Sequence, residues 1–106
     1  MAYGDNKLSR DSAVGIIDGT GADISIVCGF KPLHVRILNV DGNAIGEWSA
    51  LMPDAYIHKI VDSGAGTTDI SYAATLGITP LFNGFTIGAD TDLNVSGEEI
   101  HWIANK

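Results

Sequence analysis

Along this chain, short runs of Ile, Val, Thr and aromatic residues alternate with polar breaks that carry glycine. Within the runs, apolar and polar positions alternate with a period close to two, which puts successive side chains on opposite faces of a strand. No segment sustains the three-and-four spacing of an amphipathic helix. The first run is Ala13-Val14-Gly15-Ile16-Ile17, closed by the turn signal Asp18-Gly19-Thr20-Gly21. Ile24 to Phe30 follows and is broken by Lys31-Pro32. Leu33 to Val40 is the strongest strand pattern, and Asp41-Gly42-Asn43 supplies hairpin residues after it, so Ala44 to Leu51 is expected to return antiparallel. Tyr56 to Val61 is ambiguous. Met52-Pro53-Asp54-Ala55 could open one helical turn, but Gly64 and Gly66 leave no room for a long helix. Thr67 to Ala74 predicts a strand with Ile70 and Tyr72 on one face. Shorter strands are expected at 77–79, 84–88, 92–95 and 99–104. In the last, Ile100, Trp102 and Ala104 share one face, and Glu99, His101 and Ile103 share the other.

Roughly eight to ten short strands, with turn signals every 8–12 residues or so, predict an all-β fold. Strands with one face in and one face out imply two sheets packed across a core, so an antiparallel β-sandwich is expected, jelly-roll-like in architecture. At 106 residues there is room for one such domain. The division predicted is a polar, extended N-terminal arm over 1–11 and a single sandwich domain over 12–106. The arm is poor in core-forming residues apart from Tyr3 and Leu8. Segments of this kind fray unless a neighbour orders them. Tyr3, Asp5, Lys7, Leu8 and Arg10 are therefore the candidate partner-contact residues.

Composition narrows the partners. A hydrophobic fraction of 45% with 18% charged residues is that of a folding chain. Acidic residues outnumber basic ones 13 to 6, a net charge of −7. Nucleic acid and anionic lipid both recruit Lys and Arg, so neither is an expected partner. The imbalance is also local, for no Lys or Arg lies between Lys59 and Lys106. Such a surface either stays solvated by self-repulsion or docks on a basic partner. Cys28 is the one cysteine and lies in the apolar run Ile24 to Cys28, where a buried structural thiol is expected. The first residues lack an apolar signal region, and no stretch nears the ~20 apolar residues of a spanning helix. The chain is expected to be made and kept in a cytosol, or to leave by lysis.

Several motifs invite chemistry. Ile60-Val61-Asp62-Ser63-Gly64-Ala65 resembles the loop on which aspartic proteases carry a catalytic carboxylate, and Ile16-Ile17-Asp18-Gly19-Thr20-Gly21 is a near-copy. Gly19 interrupts the copy, however, and no Gly-Arg-Asn/Asp signature follows the later one. Two such carboxylates must also share one proton across a common site. Turn formation is the plainer reading of both. Asp90-Thr91-Asp92-Leu93-Asn94 begins like a calcium loop, yet Val95 and His101 stand where an EF-hand loop needs Gly and Glu. His34, His58 and His101 show no metal-ligand spacing. Trp48, Trp102, Phe82 and Phe85 could stack a sugar or a base, although packing is the commoner fate of such rings. No cofactor is implied, and no catalytic residue is assigned.

Two stretches carry a likeness to known proteins. Gly29-Phe30-Lys31-Pro32-Leu33-His34-Val35 is the first; Asn83 to Gly88, Asp92-Leu93-Asn94 and Ser96 to Ala104 make up the second. Together they resemble small structural proteins of tailed bacteriophages. At this length, and without a shaft repeat, the chain is similar to capsid decoration (cement) proteins. The resemblance implies a β-sandwich or jelly-roll module that binds the major capsid protein on the outside of the shell. It also implies a homodimer or homotrimer, made in the bacterial cytoplasm and located on the virion. The same β module occurs at tail-fibre tips, so a receptor- or carbohydrate-binding role is the alternative implication.

Overall fold

The computed structural model describes residues 5–8, 11–64 and 66–106, and among them every regular element is a strand. Ten strands follow in order: β1 (Asp5–Leu8), β2 (Ser12–Asp18), β3 (Ile24–Val27), β4 (His34–Asn39) and β5 (Ala44–Ser49). After these come β6 (Ile57–Gly64), β7 (Thr67–Ala73), β8 (Ile78–Leu81), β9 (Gly84–Ile87) and β10 (Glu99–Asn105). All pairings are antiparallel. They form a seven-stranded sheet ordered β1-β2-β10-β4-β5-β6-β7 and a three-stranded sheet ordered β3-β9-β8. The sandwich is thus as expected, although its strands divide seven to three and the jelly-roll expectation reaches only as far as two packed sheets.

Period-two alternation decides what is buried. On β10 the faces separate as anticipated, with Ile100, Trp102 and Ala104 buried and the residues between them partly exposed. Their cross-strand neighbours continue the inner face: Val35 and Ile37 on β4, Trp48 on β5, Ala13 on β2. The small sheet turns Ile24, Ile26, Phe85, Ile87 and Ile78 toward them. Phe85 meets Trp102 edge-on, with ring centroids 5.5 Å apart at 73°. Such a T-shaped pair sets the quadrupole edge of one ring against the face of the other. The segment over 88–98 closes one end of the core by inserting Leu93. Gly46 makes this possible, since a Cβ there would stand 2.5 Å from Leu93 Cδ1 and 2.6 Å from Ile57 Cδ1.

One ambiguity is resolved and one expectation corrected here. Of the ambiguous stretch Tyr56 to Val61, all but Tyr56 lies in the strand β6, which pairs with β5 from His58 to Val61. Residues 92–95, expected as a strand, form a turn instead. The reason is local hydrogen bonding: Asp90 Oδ1 accepts from the Asp92 and Leu93 amides at 2.8 and 3.0 Å, and the Asn94 amide donates to the Asp90 carbonyl at 2.9 Å. An Asp that captures the amides ahead of it offers the backbone an alternative to a ladder.

Candidate partner-docking surfaces

The acidic loop singled out as a calcium candidate is satisfied from within the chain. Lys59, on the inner face of β6, places its Nζ 2.9 Å from Asp90 Oδ2 and 2.6 Å from Asp92 Oδ2. An ammonium group thus sits among the oxygens a cation would have needed. Burial works against that charge, but the hydrogen bonds and charges of Asp92 and Asp90 outweigh it and hold the Lys59 pKa above the ordinary lysine value. Asn94, the third oxygen of the motif, is spent on structure as well. Its Oδ1 accepts from the Thr20 amide at 2.9 Å, and its Nδ2 donates to the carbonyls of Ala22 and Gly88 at 2.7 and 2.9 Å. Among the described residues, no group of three or more His, Cys, Asp or Glu converges as metal ligands.

The two protease-like aspartates do not meet within the chain. Asp18 lies on β2 and Asp62 on β6, with β10, β4 and β5 between them in the sheet. At about 4.8 Å per strand the separation is roughly 19 Å, too far to share a proton. Asp62 Oδ1 accepts from the Gly64 amide at 2.9 Å, so it stabilises the bend before the β6–β7 turn. Cys28 is buried and its Sγ lies 3.3 Å from the Phe30 carbonyl. Burial pushes its thiol pKa up, which keeps it protonated and a poor nucleophile. Trp48, Trp102 and Phe85 are core residues, so none of them offers a face to a sugar. Of the rings considered, Phe82 alone stands in solvent.

What the molecule does present is apolar surface, in two places. One is the end where the 28–33 loop, the 50–56 loop and the β8–β9 turn come together. The Ala50 amide donates to the Leu33 carbonyl, and the Cys28 and Gly29 amides donate to the Asn83 carbonyl, which ties the three segments into one surface. On and beside these segments Leu51 is 98% exposed, Phe82 92%, Val27 62% and Leu33 61%, and Leu33 lines a shallow cleft with Lys31, Ala50, Asp54 and Pro80. Single exposed apolar residues are ordinary on proteins; a cluster of large ones marks an interaction site.

The second place is the outer face of the seven-stranded sheet. Following the registers, Ile16, His101, Leu38, Ile45, Ile60 and Ile70 stand opposite one another in a row across six strands. Five of the six are apolar aliphatics, and no second layer covers them among the described residues. Polar pairs lie beside this row. His34 Nε2 is 2.6 Å from Glu47 Oε2, and His101 Nε2 is 2.7 Å from Glu99 Oε2. Near the β7 edge the His58 ring sits 4.5 Å from the Tyr72 ring. All three histidines therefore lie on this one outer face, an arrangement invisible in their sequence spacing.

Comparison with protein-family models, curated proteins and solved structures found no match to this chain. Function must accordingly be argued from the surfaces themselves. Of the residues expected to contact a partner, Tyr3 and Arg10 lie outside the described residues. Asp5, Lys7 and Leu8 belong to β1, whose backbone pairs with β2 through Asp5↔Ile16, Lys7↔Val14 and Leu8↔Ala13. This part of the expected arm runs along its own sheet, where its backbone groups find ladder partners. Sequence reasoning missed both apolar surfaces. The signal for the loop surface was present in Leu33, Leu51 and Phe82, bulky residues at run ends close to Pro32, Pro53 and Asn83, where a strand core has no use for them.

Proposed function

We propose that this chain is a structural binding protein that decorates the outside of a phage capsid and stabilises the shell. The observation that carries the reading is the loop surface bearing Leu51, Phe82, Val27 and Leu33. Exposed apolar side chains of this size lose contact with water only when a partner covers them, which favours association over a free existence. The resemblance stated above supplies the partner: the major capsid protein, presented many times over by an icosahedral shell. A clamp that binds the expanded lattice and not its alternatives stabilises that lattice by mass action. Many modest contacts suffice, because each further contact is made at high effective concentration.

The test is quantitative mass spectrometry of virions purified from the host that carries the gene, counting this chain against the major capsid protein. On the order of one copy per capsid subunit, set by repetition of the shell contact, is the expected result. A handful of copies would move the chain to the tail and to receptor binding. Absence from particles would overturn the structural reading. Within a positive result, Leu51→Asp and Phe82→Asp together should abolish co-sedimentation with shells while leaving the fold unchanged, since both side chains stand in solvent.

A further inference from the structure

The two sheets have four edges, and three of them are built as a solitary protein builds them. β1 is four residues long and contains both Asp5 and Lys7. β3 is also four residues, and β8 is four residues with Pro80 among them. Shortness, charge and proline are the devices that stop an edge from recruiting another strand. β7 has the least of these protections, a single charge at Asp69. It runs for seven residues, Thr67-Thr68-Asp69-Ile70-Ser71-Tyr72-Ala73, without Pro or Lys, and six of the seven are exposed. Its register with β6 is regular from Thr68 to Ala73; the one irregularity lies at the tip, between Asp62 and Gly64. Thr, Ile and Tyr are residues that favour a strand. The composition therefore suits pairing on both sides, while among the described residues β6 is the only strand it pairs with.

We propose that β7 is a homodimerisation edge, on which a second copy of this chain pairs its own β7 antiparallel across a two-fold axis at Ile70. The inference rests on the assembly reading and gives it a geometry. In this register Ile70 faces its own copy, Asp69 faces Ser71 and Thr68 faces Tyr72, so the strand's one charge never stands directly opposite itself. Like charges directly opposite would be destabilising; aliphatic and aromatic–Thr pairs are favourable. The outer-face row also becomes continuous, because Leu38, Ile45, Ile60 and Ile70 meet the same four residues in reverse order. A two-fold contact of this kind closes on itself and does not propagate into a fibre. A single strand pair buries less than about 1,200 Å², so the dimer is weak in solution and is reinforced where a lattice holds both copies.

Sedimentation velocity over a concentration series tests the proposal. The wild-type chain should move from the mass of one 11.1 kDa chain toward twice that mass as concentration rises. Thr68→Lys with Ile70→Lys should remain at the single-chain mass with an unchanged circular dichroism spectrum. Hydrogen exchange on the wild type requires no variant: β7 amides should gain protection with concentration, while amides of the already paired β10 should not change. A single-chain mass at every concentration overturns the proposal, as does a dimer that survives the double substitution. A dimer whose β7 amides gain no protection overturns it too, since face packing leaves an edge unpaired. The shell reading is decided separately by co-sedimentation with particles. A monomer that binds particles sinks the edge pairing alone, and a β7-paired dimer that never binds them sinks the shell reading alone.

Discussion

Through β2, β10, β4 and β5, the inner face of the large sheet is buried along its length, from Ala13 and Trp102 to Ile37 and Trp48. The β6–β7 hairpin continues the same sheet with the same antiparallel ladder, yet its burial runs out along its length. Ile57 is buried at one end, Lys59 and Val61 are half-buried, and from Asp62 to Thr68 every described residue is exposed. Identical backbone pairing is thus held by different means. In the centre, side chains removed from water stabilise the ladder. At the hairpin tip, local turn chemistry does it: the Asp62–Gly64 bond and glycines at positive φ, 82° at Gly64 and 76° at Gly66. A region that contributes little to the core can spend its side chains on partners, and this is where the least protected edge lies.

Substitutions should separate the two regions, and the largest effect belongs to the centre. Trp102→Ala removes the ring that meets Phe85 edge-on and should cost about 3–5 kcal/mol, read from denaturant melts. Loss on that scale leaves little of the stability of a small domain, so a variant melting near wild type would contradict the core assignment.

Next comes the junction between the regions. Lys59→Ala strands Asp90, a carboxylate with only 5% of its side chain exposed, and should cost about 3 kcal/mol. The same ion pair carries a pH signature. Because the folded Lys59 pKa is raised, its stabilisation is complete below the ordinary lysine value of about 10.4 and fades as pH rises through the folded value. Wild type should therefore lose stability relative to Lys59→Met in strongly alkaline buffer, and the gap between them should be constant from neutral pH up to that window. A gap that closes near neutrality would mean the pair is not formed.

Asn94→Ala should have a smaller effect, about 1–3 kcal/mol, since it leaves the Thr20 amide and the Ala22 and Gly88 carbonyls without their partner. Smallest of all is the wing. Ile70→Lys, at a side chain 79% exposed, should change the melting of the dilute monomer by no more than about 0.5 kcal/mol. A destabilisation comparable to that of Asn94→Ala would show that β7 is part of the folding unit and not a surface added to it.

Much of this architecture was legible beforehand. Period-two runs marked nearly every strand, and the faces of β10 were assigned correctly, because alternation is a property of the strand itself. The β4–β5 hairpin was legible for a similar reason, as Asp41-Gly42-Asn43 announces its turn and Asn43 does adopt φ 53°. The Asp90 loop was misread as a strand over 92–95, and its oxygens at alternate positions left a cation or a solvated face as the alternatives. What separates the two is Lys59, 31 residues from Asp90 in sequence and 2.9 Å from it in space. Trp48 and Trp102 could stack a ligand or pack, with packing the commoner fate, and their burial decides for packing.

By itself, then, the sequence determined what depends on neighbours along the chain: strand periodicity, most turn positions, the all-β class and the acidic charge balance. Tertiary structure alone decided what depends on residues distant in sequence. It placed all three histidines on one face, seated an ammonium among the acidic oxygens, kept Asp18 from Asp62 and left β7 as the open edge. The physical reason is that a strand's own pattern specifies which side is buried but not which strand lies beside it. Strand order is settled by how two whole faces pack, and so the edges, where this protein has surface to offer, exist only once every other strand has found its place.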